Sequence, residues 1–158
     1  FDAIAVVDIV GRTTDIAVVL RSGEQIDHER SGTKNIGVLD SHRTLTRLIH
    51  KKFDVMDEYS PDFLDRALRT GHANIYGEKV DISALVIQAI QEPAQKLHNM
   101  ILEKLGTASN IDKVIFVGGG AALFRDHLQS MYPRNGFISA DPEFANARGL
   151  YKFASGGK

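Results

Sequence analysis

The sequence predicts an α/β domain interrupted by a mostly helical insertion. Two observations carry this. The apolar runs Ile4-Ala5-Val6-Val7 and Val114-Ile115-Phe116-Val117 each end in a glycine-bearing turn, as buried strands of α/β proteins do. Between them, Val86, Ile90, Ala94, Leu97, Ile101 and Leu105 recur at helical spacing, which marks one apolar face of a long helix. Residues 1–33 and 113–154 are therefore expected to form one unit, 34–112 the insertion and 155–158 a frayed tail.

The elements follow in order. Residues 2–9 predict a strand buried on both faces, because the apolar run is nearly unbroken. Ile16–Leu20 predicts a second strand, too close to the first for a crossover helix, so the pair is an antiparallel hairpin. Ser22-Gly23 signals a turn, and residues 24–30 a polar third strand at an edge. Ser31 to Gly37 reads as a flexible connector, followed by a helix from Leu39 to Phe53 with Leu45, Leu48, Ile49 and Phe53 on one face. Ser60-Pro61 starts a short helix, an N-cap followed by proline at the first helical position, ending near Gly71. Residues 74–82 predict a hairpin around Gly77. A helix from Ser83 to Leu105 stops at Gly106, and Pro93 inside it should kink or split it. Strand 113–117, a helix from Ala121 to Met131, a strand at 136–139 and a last helix from Pro142, capped by Asp141, complete the chain. Phe144, Ala147, Tyr151 and Ala154 are expected to share that last helix's buried face.

Composition excludes several classes. A net charge of −1 over 158 residues offers no electrostatic case for direct nucleic-acid binding. No apolar stretch approaches a membrane span, and no secretory signal is visible. The absence of cysteine excludes disulfides and thiolate metal sites and is compatible with the cytoplasm. The six histidines lack metal-like spacing; His42 and His50 read as surface residues, and Asp54, Asp57 and Glu58 as a solvated loop. The chain opens on Phe1, almost inside a strand, which predicts a piece of a longer protein.

Chemistry concentrates at the two turns. Asp8-Ile9-Val10-Gly11-Arg12-Thr13-Thr14-Asp15 and Gly118-Gly119-Gly120 both expose backbone N–H groups that no large side chain shields, the chemistry of a phosphate and nucleoside cradle. Asp8 is either a cleft-facing carboxylate or a turn cap. Thr13 and Thr14 can offer hydroxyls to phosphate, but by alternation only one can face the cleft, and threonine also favours strands for its own sake. Arg12 is either a cation beside the phosphates or a solvated turn residue. Valine at position 10 disfavours positive φ, which leaves Gly11 as the expected turn-former. Three successive glycines at 118–120 exceed what a tight turn needs.

Together these motifs resemble the second half of the actin-like ATPase superfamily, whose core is ribonuclease H-like. The segment 8–15 is similar to its second phosphate loop, Val117-Gly118-Gly119-Gly120-Ala121 to its adenosine loop, and the helix from Pro142 to Ala154 to its second interdomain connecting helix. Arg30 to Gly37 and Asp141-Pro142-Glu143-Phe144-Ala145-Asn146-Ala147-Arg148-Gly149 resemble the plasmid-segregation group, ParM/StbA type, and PRTRC-system protein D. The resemblance implies that residues 1–33 and 113–154 are subdomain IIA, that 34–112 are subdomain IIB, and that an N-terminal half is missing. It implies ATP and Mg²⁺ as cofactors, with Asp8 catalytic and holding Mg²⁺ through water. Gly11, Arg12, Thr13 and Thr14 would bind phosphate, and Gly118, Gly119 and Gly120 adenosine. It further implies ATP/ADP, further copies of itself in filaments and a plasmid-partition adaptor as partners. The family's first phosphate loop and its catalytic Gln or Glu belong to the other half, so this fragment alone should not hydrolyse ATP. A non-enzymatic actin-fold interaction module is the alternative, favoured by Val10 where the family usually has glycine. A sugar kinase is a weaker third reading, since no sugar site can be read here.

Overall fold

A computed structural model describes residues 2–20 and 25–155. Strand β1 (Ala3–Ile9) lies at the centre of a five-stranded sheet. It pairs antiparallel with β2 (Thr14–Leu20), which pairs antiparallel with the short β3 (Gly32–Lys34). On its other side the chain returns after a long excursion as β6 (Lys113–Val117), parallel to β1 with Val6 opposite Ile115. An outer strand, β7 (Gly136–Ile138), continues the parallel half. Ala3, Ala5, Val7 and Ile9 of β1 are buried, whereas Ile4, Val6 and Asp8 on the opposite face stay half-buried. The continuous apolar run thus serves one fully buried face rather than two.

The expected third strand at 24–30 is not formed. Among the described residues of that segment only Ile26 bridges to Val19. The Asp27 carboxylate accepts the N–H groups of Glu29 and Arg30 and the Arg30 Nε–H, the last at 2.7 Å. These local bonds curl the backbone into a turn and compete with a ladder. Strand pairing resumes at Gly32, inside the segment expected to be a connector. The predicted turn at Ser22-Gly23 lies outside the described residues, as do residues 156–158 of the predicted tail.

Helices α1 (Val38–Phe53), α2 (Pro61–Thr70) and α3 (Ser83–Leu105), with the hairpin β4 (His72–Ile75) and β5 (Glu78–Asp81), fill the excursion. The start of α2 is capped as expected, Ser60 Oγ accepting the Phe63 N–H at 3.2 Å. Gly71 ends it at φ +71°. Tyr76 and Gly77 both take positive φ, 51° and 81°, which suits the right-handed twist of a two-residue hairpin loop. Leu45, Leu48, Ile49, Leu64, Ala67, Leu68, Ile82, Val86 and Ala89 close a core of their own. Further along α3, Ala94, Leu97, Met100, Ile101 and Leu105 belong to the core beneath the sheet. One helix therefore serves two cores. Pro93 does not split it: α3 runs unbroken and Pro93 is buried. Packing on both sides of the proline outweighs the roughly 3 kcal/mol such a residue costs.

After β6, the expected single helix is two, α4 (Gly119–Leu123) and α5 (Arg125–Met131). The break falls at Phe124, which is fully buried. A 3₁₀ turn at Pro142–Phe144 leads into α6 (Ala145–Ala154). Asp141 does not cap it with its side chain; the carboxylate instead accepts Arg148 Nη1–H at 2.8 Å. Phe144, Ala147, Tyr151 and Ala154 are exposed, contrary to expectation, Tyr151 by 74%. Periodicity marks an apolar stripe but not what covers it, and no element among the described residues does.

The sheet core carries one titratable group with a measurable signature. Tyr132 is 3% exposed and donates its hydroxyl to Gly106 O at 2.9 Å. Burial pushes its phenol up to about 12. In the unfolded chain the phenol ionises near 10, so its contribution is intact below about pH 10 and is lost as pH rises from there toward the folded value. Alkaline absorbance titration should show one tyrosine ionising late and together with unfolding. In Tyr132→Phe that late step should disappear; its persistence would assign it to another tyrosine.

Candidate functional site

The parallel pairing of β1 and β6 brings both strand exits to one edge of the sheet, with Asp8 opposite Val117. Gly118 stands directly after Val117 at φ +84°, ψ 163°, a region open almost only to glycine. A Cβ there would strike Ile9 O and lie 2.5 Å from Asp8 Oδ1. The two turns that stand far apart in sequence are thus in contact. Asp8 Oδ2 accepts the Asn146 side-chain N–H at 2.6 Å, while Asp8 Oδ1 is buried and without a hydrogen-bond partner among the described residues. Asp15 lies across from Asp8 in the β1–β2 register, and its carboxylate accepts the Thr33 hydroxyl. Asp8, Asp15, Thr33 and Asn146 border a concavity of about 300 Å³.

The turn after Asp8 is built differently from expectation. Neither Val10 nor Gly11 has positive φ, so Val10 brings no backbone strain and Gly11 is not the turn's left-handed residue. The turn closes by Val10 N–H to Thr13 O at 3.0 Å. The carbonyls of Val10 and Gly11 accept the first N–H groups of α1, from Val38 at 3.1 Å and Leu39 at 2.8 Å. Gly37 makes this junction possible, for a Cβ on it would press on both carbonyls. Arg12 is exposed and Thr13 half-buried. Thr14 is fully buried and donates its hydroxyl to Ile36 O at 2.7 Å. Of the two threonines, then, Thr14 is turned into the structure and is committed there rather than to a ligand.

The glycine triplet divides into three roles. Only Gly118 needs glycine for its φ. Gly119 and Gly120 already belong to α4, so the helix starts earlier than predicted. At five residues it is also too short to carry much of a dipole. Gly120 packs against Ile9, where a Cβ would collide. A Cβ on Gly119 would meet nothing within 4 Å among the described residues. Its open side faces a concavity of about 690 Å³ between α1, α2 and α4, which Gly11, His42, Asp65 and Arg69 also line. A third hollow, of about 720 Å³, lies at the far end of β1 and β6 beside Asp112 and Arg134 and contains none of the predicted residues.

The fold and this edge can be set beside known proteins. A family model for the C-terminal domain of archaeal actin homologues of the MreB-like type matches residues 6–130. The chain belongs to this MreB-like C-terminal family. Among solved structures, the MreB-like domain superposes on the archaeal actin homolog Ta0583 with a TM-score of 0.84 at 25% identity, over 98% of this chain and 48% of that one. Ta0583 in complex with ADP gives 0.82 at 25% identity, over 98% and 50%. A 15-stranded ParM filament from Clostridium botulinum gives 0.85 at 22% identity, over 98% and 46%. The MreB-like domain thus has the actin-like fold and spans about half the length of these structures. Comparison with curated protein sequences gave no match.

Several residues at the edge of the MreB-like domain escaped the sequence reading. His42, expected at the surface, is 7% exposed and its Nε2 lies 2.7 Å from Asp65 Oδ1. The imidazole links α1 to α2 on the wall of the concavity between α1, α2 and α4. His50 is half-buried and bonds Asp57 O at 2.7 Å. Asp54, Asp57 and Glu58 are exposed, as expected. Asn146 lay in the segment 141–149 that bears the resemblance but without a role of its own, and Arg69 carried no signal, since a polar residue on a helix reads as solvated. Gly37 did carry one: a glycine immediately before a helix, where Ser, Thr, Asn or Asp caps better, implies a close approach. Among the described residues no helix is long and apolar enough to cross a membrane.

Proposed function

We propose that this domain is the C-terminal half of an actin-like ATPase that binds ATP between two domains and forms nucleotide-dependent filaments serving plasmid partition in the cytoplasm. Residues 1–33 and 113–154 would then be subdomain IIA, and 34–112 subdomain IIB. The observation that carries the reading is the meeting of Asp8 with Gly118: a buried carboxylate oxygen without a hydrogen-bond partner among the described residues, set in a cradle that any Cβ would fill. Gly119 and Gly11 line a separate concavity between α1, α2 and α4, whose volume of about 690 Å³ would take a nucleoside. The ADP complex of Ta0583 and the filament of ParM lend support from proteins of the same fold.

The residues fit the roles. A single carboxylate acting through water, as Asp8 would, suits Mg²⁺, which dehydrates reluctantly. Bound Mg²⁺ would supply charge neutralisation for the phosphates. Arg12 and Thr13 stand on the turn that follows, where a cation and a hydroxyl can meet phosphate oxygens. Gly118 and Gly119 let backbone approach adenosine, while Gly120 serves packing. The remaining donors around a γ-phosphate must come from the other half, because stabilising phosphoryl transfer needs groups on all its sides. Domain closure on the nucleotide would alter subunit contacts.

One observation favours a non-hydrolysing interaction module instead. The Val10 N–H is bound to Thr13 O within the turn and the buried Thr14 hydroxyl donates to Ile36 O, which leaves this turn fewer donors free for phosphate. Phosphate release and sedimentation of the full-length protein with and without ATP and Mg²⁺ separate the two. We expect ATP-dependent pelleting and phosphate release, with Asp8→Asn lowering release by about 100-fold or more, and no release by residues 1–158 alone. Pelleting without ATP binding or phosphate release would establish the interaction module.

A further inference from the structure

Asn146 has a bond that a solvated helix residue does not need. It lies in the first turn of α6, 138 positions after Asp8 in sequence, yet its amide donates to Asp8 Oδ2 at 2.6 Å. An ionised carboxylate only accepts, so the NH₂ end of the amide must face it. The other oxygen, Oδ1, is enclosed beside Gly118. The carboxylate is therefore hydrogen-bonded at one oxygen and enclosed at the other. The donor is also neutral. A lysine or arginine here would cancel the charge of Asp8 as an ion pair, whereas an amide orients the carboxylate and leaves its full charge for a ligand. The neighbouring carboxylate, Asp15, is engaged elsewhere by Thr33.

The start of α6 is itself firmly placed. The Gly118 N–H donates to Pro142 O at 2.7 Å. Arg148 ties the same segment to Asp141 and to Ser139 Oγ at 2.8 and 3.2 Å. Asn146 is thus delivered to Asp8 by a segment anchored on the adjoining glycine turn.

We propose that Asn146 is a positioning residue for Asp8, holding its carboxylate in the orientation used for the nucleotide-bound water shell; this rests on the nucleotide reading of the site. The test uses the full-length protein and four variants: Asn146→Ala, Asn146→Asp, Asp8→Asn and the exchange double Asp8→Asn/Asn146→Asp. ATP affinity is measured by calorimetry with Mg²⁺, phosphate release at steady state, and stability by thermal melting. Misplacing a reacting group by about 1 Å can cost about 100-fold in rate. Asn146→Ala and Asn146→Asp should each lower kcat by about 10- to 100-fold, with KM for ATP changed less than about threefold.

Asn146→Asp keeps the shape of the side chain but sets two carboxylates together, so it should melt lower than the parent. The exchange double restores an amide–carboxylate bond with donor and acceptor reversed. It should regain the melting temperature while phosphate release stays lost. A packing role for Asn146 would lower the melting temperature of Asn146→Ala and leave its kcat near the parent value. Unchanged kcat in Asn146→Ala, with Asp8→Asn inactive, would overturn the proposal and leave the nucleotide reading standing. A double that melts no higher than Asn146→Asp would overturn it as well. If Asp8→Asn itself binds and hydrolyses ATP like the parent, the nucleotide reading fails, and this proposal with it.

Discussion

Gly118→Ala is expected to lower the stability of the domain by about 2–6 kcal/mol. Two costs add. A side chain at φ +84°, ψ 163° is strained by about 1–3 kcal/mol. The new Cβ also lands on Ile9 O and Asp8 Oδ1, and forcing an extra carbon into such a fit costs about 1–3 kcal/mol more. No flexible side-chain end can yield here, because Ile9 O is backbone in the central strand. Urea or guanidinium denaturation reads the effect as a lower midpoint at unchanged slope. A midpoint equal to the parent's would mean that the two turns do not touch as described.

Gly119→Val, one residue along, should behave in the opposite way. A Cβ at Gly119 meets nothing within 4 Å, and inside a helix valine is intrinsically better than glycine. The fold should therefore survive with circular dichroism and melting close to the parent. The side chain would enter the concavity between α1, α2 and α4. If adenosine occupies that space, overpacking of about 1–3 kcal/mol lowers ATP affinity of the full-length protein by about 10- to 100-fold. Calorimetry on a folded variant decides it. Parental affinity would take Gly119 out of the site, and Gly119→Ala then measures how much room remains. The pair of variants separates a glycine kept for backbone geometry from one kept for open space.

What the sequence made legible were features with a local cause. The apolar runs of β1 and β6, the bounds of α3, the cap at Ser60 and the hairpin at Tyr76-Gly77 all follow from patterns a few residues wide. The contact of Asp8 with Gly118 was reachable too, because a parallel pair places both exits at one edge. The misses have the opposite origin. Asp27 and Arg30 formed a local turn where the turn signal at Ser22-Gly23 suggested a following edge strand. Phe124 broke a helix because the core claimed its ring. Asn146 with Asp8, and His42 with Asp65, are side-chain bonds across the fold, and neither partner announces the other in sequence. The glycines at 118–120 read as one motif, yet each is constrained differently.

The junction at Gly37 gives the molecule a lever. Val10 and Gly11 hold the first two N–H groups of α1 directly, so a displacement of that turn is transmitted to the helix with little slack. Helix α1 is 16 residues long, about 24 Å at the usual rise. A tilt of about 5° at its root would carry the far end about 2 Å sideways. Movements too small to notice beside Asp8 would therefore arrive magnified at Phe53 and the exposed loop beyond it.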